Sequence, residues 1–274
     1  MTAPAHPEVI RVSTAADPRL AAFRDLTDVD MRRTLEPDTG IFMAEGLLVI
    51  ERVVAAGLAI ESVLTAPKWL DRLGECLGDW PGPTYVLEEE QLRDLTGYRV
   101  HRGALACVRR PPERDVDDIS RRPGDILVLG DLVDHTNVGL AIRSATAMGI
   151  TGVVLSPRCA DPLYRRAIKS SMGAVITTPW ARSREWPVSS SDLAGRPLVA
   201  LTPDPTAPAL DVALRSCAGD VALVAGGEGP GLSADEQAMC DLRARIPMES
   251  GIDSLNVAAA VAVACYALRM WRSS

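Results

Sequence analysis

The chain has 274 residues, of which 47% are apolar and 24% charged, and its formal net charge is -7. This composition is typical of a soluble globular protein and excludes a disordered or fibrous one, while the length predicts two domains. The six cysteines show no C-x-x-C spacing and the three histidines lie far apart, so neither a disulfide framework nor a metal site is indicated. The first residues do not resemble a secretion signal and no apolar run could span a bilayer, so we expect a cytoplasmic protein without membrane contact.

The charge distribution leaves the nature of the partner open. Net acidity disfavours nucleic acid, because neutralising phosphates is the main sequence-independent source of affinity for it. The arginines nevertheless occur in local groups, such as 32–33, 109–110, 121–122 and 165–166. Because a guanidinium offers a bidentate fork to phosphate, one interpretation is a basic face that binds nucleic acid. The other is a set of solvated surface arginines.

The N-terminal part of the chain alternates short strands and helices, which predicts a small α/β domain over residues 1–116. The expected elements are a strand in "GIFMAE", a helix from residue 47, a strand at 60–64, a helix at 68–77, a strand at 84–87, a helix at 89–95 and a strand at 104–108. A charged, proline-containing stretch follows, and we interpret residues 117–123 within it as a linker.

The alternation is clearer over residues 124–274. Strands are expected at "DILVLGDL", "TGVVLS", "RPLVALTP", "DVALVAGG" and "ARIPM", and helices at "NVGLAIRSATAMG", "DPLYRRAIKSSMG", "SADEQAMCDL" and "SLNVAAAVAVACYALRMW". Short apolar strands alternating with helices predict a mostly parallel sheet covered on both faces. Ligands of such sheets bind at the carboxyl ends of the strands, so we expect the functional residues at that edge.

A glycine-rich run, "GGEGPGLS" at residues 226–233, directly follows one of these strands. It has neither of the glycine spacings that bind phosphates and no lysine follows it, which excludes a phosphate loop. One remaining interpretation is a turn that only joins strand to helix, with Ser233 and Glu236 forming a capping box. The other is the wall of a pocket, where glycines let the backbone approach a ligand with a cationic or hydroxyl-rich part near Glu228.

Two further segments place polar residues at helix starts that follow strands. In the first, Asn137 opens a helix that carries Arg143 six residues later. In the second, Ser254 and Asn256 lie at the mouth of a helix that is apolar almost all round, which must be buried by the core or by a partner. Taken singly, Ser254 and Asn256 are explained by helix capping and Arg143 by solvation.

Together the three segments resemble the motifs of the SpoU family, also called the TrmH family, of the SPOUT class of RNA 2'-O-ribose methyltransferases. Asn137, Gly139 and Arg143 match the first motif, "GGEGPGLS" the second and "IPMESGIDSLNVAAA" the third. "RRAIKSSMGA" is similar to the intervening segment, and "GIFMAEGLLVIERVVAAG" and "VHRGALACV" are similar to the ribosomal-protein-like domain of many members. One departure is His135, which stands where the family often has proline.

The resemblance implies an α/β fold in which a parallel-sheet SPOUT domain with a trefoil knot follows a small ribosomal-protein-like, substrate-binding domain. It implies S-adenosylmethionine as the cofactor, no metal, and a homodimer packed through the knotted domain. The cofactor-binding residues that it implies are Thr202, Gly226, Gly227, Ile246, Met248, Leu255 and Asn256. The catalytic residues that it implies are Asn137, Arg143, Glu228, Ser254 and Asn256.

The role of Arg143 has two interpretations under this resemblance. The family's arginine is thought to engage the RNA phosphate and assist deprotonation of the ribose hydroxyl. Because a guanidinium keeps its proton up to a pKa above ~12, we favour a fixed cation that stabilises the developing alkoxide over a general base.

The resemblance implies RNA as the partner, and the added N-terminal domain favours ribosomal RNA over transfer RNA. A non-catalytic RNA-binding or assembly factor that kept the fold is the alternative from another class. The intact Arg143, Glu228, Ser254 and Asn256 favour the enzyme, since a binder is free to lose them. A nucleotide-binding oxidoreductase is excluded because the chain has no dinucleotide fingerprint.

Overall fold

The structure is a computed structural model that describes residues 8–27, 36–100, 103–229, 231–249 and 254–273. The chain divides into two compact units. The first unit contains the residues up to Pro111 together with Leu163–Ile176, and the second contains Pro112–Pro162 and the residues from Thr177 onward. The predicted boundaries put residues 163–176 in the C-terminal domain, whereas in the structure this segment packs with the first unit.

The secondary structure alternates throughout, as the sequence predicts. The strands are β1 (Glu8–Arg11), β2 (Ile41–Glu45), β3 (Ile60–Thr65), β4 (Pro83–Val86), β5 (Ala104–Arg109), β6 (Ile126–Gly130), β7 (Gly152–Leu155), β8 (Trp180–Arg182), β9 (Leu198–Leu201), β10 (Ala222–Gly226) and β11 (Leu242–Ala244). The helices are α1 (Leu47–Ala55), α2 (Leu70–Leu77), α3 (Glu89–Thr96), α4 (Val116–Ser120), α5 (His135–Ala147), α6 (Arg165–Ser170), α7 (Ala174–Thr177), α8 (Leu210–Arg215), α9 (Ala234–Ala238) and α10 (Val257–Arg272).

The first unit is built on a mixed sheet in the order β1-β4-β3-β5-β2. Strand β5 is antiparallel to β2 and β3, and the other pairs are parallel. The elements expected from the sequence here are confirmed. Strand β1 is additional: it lies at the sheet edge with mostly exposed residues, so its sequence carries no apolar pattern.

The second unit is built on a parallel sheet in the order β11-β9-β10-β6-β7-β8. The residues of β6 and β7 are fully buried, which explains why these strands are continuous apolar runs rather than alternating ones. Helix α10 packs on α5, α8 and β10. The predicted parallel-sheet α/β domain is therefore confirmed.

Several segments of this unit differ from the prediction. Residues 117–123, expected as a linker, include part of α4, whose Ile119 is fully buried in the core. The strand expected at "ARIPM" ends at Ala244, because its pairing with β9 covers only three residues. The helix expected over 161–173 is shorter, since only Arg165–Ser170 form α6, and α7 (Ala174–Thr177) follows it as an additional helix. Strand β8 and helix α8 are additional, and both are too short to show a period in the sequence.

Helix α10 begins at Val257, with Asn256 as its N-cap, rather than at Ser254. Val261, Ala264 and Leu268 bury one face of it. Within the part of the chain that the structure describes, no helix combines the length and the hydropathy of a membrane span.

Candidate active site

A cavity of about 320 Å³ opens at the carboxyl edge of the second sheet. The residues that line it come from the ends of β9 and β10, from the loop after β10, from the chain beyond β11 and from the start of α10. They are Leu201, Thr202, Pro203, Ala225, Gly226, Gly227, Glu228, Gly229, Gly231, Ile246, Met248, Ser254, Leu255, Asn256, Val257 and Ala260. Because parallel strands end at one edge, segments distant in sequence meet there, as expected for a ligand site.

The glycine-rich loop forms one wall of this cavity. A Cβ atom at Gly226 would lie 2.3 Å from the backbone nitrogen of Leu232, and one at Gly227 would lie 2.5 Å from the carbonyl oxygen of Asp131. Both positions therefore need glycine for close backbone packing. The predicted capping box of Ser233 and Glu236 is also present, at the start of α9. The loop thus serves both as a turn and as a pocket wall.

A polar network joins the three motif segments at the cavity. Asn137 Nδ2 donates a hydrogen bond to Glu228 Oε1, and Asn256 Nδ2 donates to Asn137 Oδ1 at 3.1 Å. Asn256 Oδ1 also accepts from the backbone N–H groups of Ala258 and Ala259, at 3.0 and 3.3 Å, and so caps α10. The side chain of Asn256 consequently couples the start of α10 to the start of α5.

Asn137 itself is positioned by a helix cap. The carboxylate of Asp134 accepts a hydrogen bond from the backbone nitrogen of Asn137 at 3.0 Å, which starts α5 immediately after the loop from β6. The side chain of Asn137 is buried, whereas Glu228 is exposed at the cavity wall. A buried amide therefore holds a carboxylate that a ligand can reach.

The residues predicted to bind the cofactor all line the cavity: Thr202, Gly226, Gly227, Ile246, Met248, Leu255 and Asn256. Glu228 and Ser254, from the predicted catalytic set, line it as well. The hydroxyl of Thr202 accepts a hydrogen bond from the backbone nitrogen of Asp204 at 3.2 Å, so it also shapes the turn after β9. The structure thus brings these predicted residues together.

Arg143 lies elsewhere on α5. It does not line the cavity, its side chain is exposed, and among the described residues it has neither a hydrogen bond nor an ion pair. Six residues along a helix correspond to a rise of about 9 Å from Asn137. Its guanidinium is consequently free to bind an anion from solution.

Sequence reasoning missed some residues of this edge. Pro203 and Ala260 line the cavity; Pro203 follows Thr202, and Ala260 lies one helical turn after Asn256, so both could have been found from position. Asp131 and Ser156, which follow β6 and β7, were also missed although strand ends were expected to carry function. Ser156 Oγ donates to Asp131 Oδ1 at 2.7 Å.

The chemistry of the cysteines does not suit a nucleophile. Cys159, near the carboxyl edge, is buried, and burial raises the pKa of its thiol. Burial likewise raises the pKa of Cys240 and of Cys265 to about 12. Thiols with such pKa values are protonated at neutral pH and react slowly. The described residues also include no group of three His, Cys, Asp or Glu side chains placed to hold a metal.

Comparison with known proteins agrees with this geometry. The sequence model of the SpoU rRNA Methylase family matches residues 125–266. The chain belongs to the SpoU family. A relative in Mycobacterium bovis, described as an uncharacterised tRNA/rRNA methyltransferase, is 37% identical over 95% of this chain and 93% of its own length. The predicted family, one of SPOUT-class RNA methyltransferases, is confirmed.

Two further proteins are similar to this chain, one with a named activity and one with a solved structure. A 23S rRNA (guanosine-2'-O-)-methyltransferase of Acinetobacter baylyi is 29% identical over 65% of this chain and 74% of its own length. The AdoMet-bound rRNA methyltransferase of Sinorhizobium meliloti has a TM-score of 0.77 over 96% of this chain and 98% of that chain, at 24% identity. The latter likeness shows that the two proteins share a fold.

Proposed function

We propose that this SpoU-family protein transfers a methyl group from S-adenosylmethionine to a ribose 2'-hydroxyl of RNA, with ribosomal RNA as the substrate. The observation that carries the proposal is the cavity, where the residues expected for the cofactor meet the network of Asn137, Glu228 and Asn256. The activity for which the Acinetobacter baylyi relative is named, a 23S rRNA guanosine 2'-O-methylation, supports the reaction and the RNA class.

The residues that line the cavity suit S-adenosylmethionine by their chemistry. The backbone of Gly226 and Gly227 lines the cavity, and Leu201, Val257 and Ala260 supply apolar surface for a purine. The Sinorhizobium meliloti protein, which shares the fold, is described as AdoMet bound. When bound, the cofactor supplies the electrophilic methyl group on a sulfonium. We propose that the carboxylate of Glu228 stabilises that positive charge.

Arg143 carries the proposed electrostatic role in the reaction. It is exposed, and its guanidinium offers N–H donors to an anion. We propose that it binds the RNA phosphate and stabilises the oxyanion that forms as the ribose hydroxyl loses its proton. Asn137, Ser254 and Asn256 hold the polar side of the cavity in place for the hydroxyl.

We propose that the protein acts as a homodimer through the second unit. Val263, Tyr266 and Met270 form an exposed apolar stripe on α10, at 43%, 55% and 48% exposure. Their spacing of three and four residues puts them on one face of the helix. An exposed apolar face of this kind marks an interaction surface, and a second copy of the chain fits the family.

The trefoil knot and the ribosomal-protein-like nature of the first unit are further proposals from the family resemblance. In support of the knot, the chain beyond the edge strand β11 returns to β10, where Ile246 and Met248 line the cavity beside Gly226. In support of the RNA-binding unit, the first unit has its own sheet and core. We also propose a cytoplasmic location, because the proposed reaction requires access to RNA.

The test is transfer of labelled methyl from S-adenosylmethionine to unmodified ribosomal RNA and, separately, to transfer RNA, followed by nucleoside analysis. We expect a 2'-O-methylated nucleoside in ribosomal RNA with the wild-type protein. Arg143→Ala should reduce transfer at least ~100-fold, as expected for loss of an oxyanion-stabilising group, and leave cofactor binding unchanged by calorimetry.

Other outcomes distinguish the alternatives. Transfer to transfer RNA alone would change the substrate, and a methylated base would exclude the ribose reaction. Cofactor binding lost in Arg143→Ala would contradict the role of that residue. A wild-type protein that binds RNA but no cofactor would favour the non-catalytic assembly factor.

A further inference from the structure

Arg158 lies in the loop after β7, beside the wall of the cavity. Strands β10, β6 and β7 are neighbours in the parallel sheet, so the residues that follow them meet at the same edge. Asp131, which follows β6, links the two features: its carbonyl packs directly on Gly227 of the cavity wall, and its carboxylate pairs with the guanidinium of Arg158. Asp131 therefore contacts both Arg158 and the wall of the proposed cofactor site.

Asp131 is itself held firmly. Its backbone has a φ of 52°, in the left-handed region that non-glycine residues rarely adopt. Ser156, which is fully buried, accepts from the backbone nitrogen of Asp131 at 2.8 Å and donates to its carboxylate at 2.7 Å. Burial opposes ionisation of Asp131, but the hydrogen bonds from Arg158 and Ser156 outweigh it and lower the pKa of the carboxyl group. The anchor for Arg158 is thus charged at neutral pH.

The loop that carries Arg158 is held in place by hydrogen bonds from the side chains of Arg182 and Cys159. Arg182 Nη1 donates to the carbonyl oxygens of Ser156, Pro157 and Cys159, at 3.0, 3.2 and 2.8 Å. The thiol of Cys159 also donates to the carbonyl oxygen of Leu129 at 3.1 Å. Fixing a loop in this way costs conformational entropy before any ligand arrives. The cost at binding is correspondingly lower for a ligand that uses the side chain presented by the loop.

Arg158 remains 79% exposed in spite of its ion pair. A surface pair of this kind contributes little to stability, so stability does not explain why the loop is held in place. One guanidinium nitrogen, Nη2, contacts Asp131, and most of the other N–H donors face solvent. The carboxylates of Asp131 and Glu236 place negative charge near this side of the cavity, and Arg158 offers a positive charge there to a polyanion.

Resting on the proposed ribose methylation, we propose that Arg158 binds a phosphate of the RNA strand next to the target nucleotide and so positions that nucleotide over the cavity. The guanidinium of Arg158 then bridges two anions, the carboxylate of Asp131 and the RNA phosphate. Arg143, on α5, would then not be the sole phosphate contact of the enzyme.

The test compares Arg158→Gln with the wild type on in vitro transcribed 23S ribosomal RNA over a series of salt concentrations. We expect KM for RNA to rise about 10-fold, as for loss of a hydrogen bond to a charged group, with kcat and the cofactor Kd unchanged. The slope of log(kcat/KM) against log salt should fall by about 0.7–1, the value for one phosphate contact. Arg158→Lys should keep the wild-type slope, because it keeps the charge.

Arg121→Gln is the matched control. Arg121 is 73% exposed and pairs with Asp117 four residues earlier on α4, so it is a comparable arginine–aspartate pair in the same unit. We expect this variant to match the wild type in KM and in salt slope. An unchanged KM and slope in Arg158→Gln, or a weakened cofactor affinity, would overturn the assignment.

Failure of the proposed function gives a different result. If the wild type transfers no methyl group to this RNA, the ribose reaction on it is excluded, and fluorescence anisotropy with the same RNA then measures affinity and its salt slope directly. A slope reduced only in Arg158→Gln would still support the phosphate contact. An equal slope in the wild type, Arg158→Gln and Arg121→Gln would exclude it.

Discussion

Asn256 shows how one side chain serves both folding and the site. Its oxygen accepts from the backbone N–H groups of Ala258 and Ala259, and its amide nitrogen donates to Asn137. These two functions use different atoms of the same group. They can therefore be separated by substitution.

Asn256→Ala should lower stability by about 1 kcal/mol through loss of the N-cap and should also weaken cofactor binding. Asn256→Asp keeps the oxygen that caps α10 but loses the donor to Asn137, and it adds a negative charge near Glu228. We expect Asn256→Asp to retain the stability of the wild type within ~0.5 kcal/mol while methyl transfer falls. Urea unfolding and calorimetry with S-adenosylmethionine measure the two effects. Equal loss of stability in both variants would contradict this separation.

At the scale of elements, Glu45 contributes to the docking of helix α6 within the first unit. This carboxylate at the end of β2 is only 8% exposed. It accepts from the hydroxyl of Tyr98 at 3.0 Å and lies 3.9 Å from Arg165, whose guanidinium stacks on the Tyr98 ring at 4.6 Å. Burial, followed by the charge of Glu45, raises the pKa of Tyr98, so the hydroxyl keeps its proton and its hydrogen bond through neutral pH.

Glu45→Gln should loosen the docking of α6. The substitution removes a buried charge that faces Arg165 and Lys169, and we expect a loss of about 1–3 kcal/mol in the local stability of residues 163–176. Hydrogen exchange of peptides from this segment should become faster. The control is Glu61→Gln, at the more exposed pair with Arg109, which should change exchange of the same segment by less than ~0.5 kcal/mol. Equal protection in Glu45→Gln and the wild type would exclude the anchoring role.

At the scale of the whole molecule, the apolar stripe of α10 sets the expected oligomeric state. Tyr266→Glu puts a charge at the centre of the stripe formed by Val263, Tyr266 and Met270. Because burying an unpaired charge is costly, we expect the dimer to dissociate, with the mass from light scattering falling by half. Val212→Glu, at a 56% exposed valine on α8, is the control and should leave the mass unchanged. A wild-type protein that is monomeric at micromolar concentration would contradict the dimer.

Much of the architecture could be predicted because strands in this chain are short apolar runs and helices have clear starts. The cavity residues could be predicted from the order of motifs, since parallel strands bring their carboxyl ends together. Strand β1, strand β8 and helix α8 could not, because three to six residues with mixed exposure carry no measurable period. The burial of Ile119 within the expected linker could not be predicted either, because the neighbouring residues are charged and show no apolar pattern.

The sequence by itself determined the family, the parallel-sheet domain and the segments that line the cavity, because each depends on local patterns and on the spacing of motifs. Only the tertiary structure decided that residues 163–176 pack with the first unit, that Arg143 lies apart from the cavity, and that Asp131 joins Arg158 to Gly227. These features depend on pairs of residues far apart in the chain. No local pattern encodes such a pair, since either partner alone is an ordinary surface or helix residue.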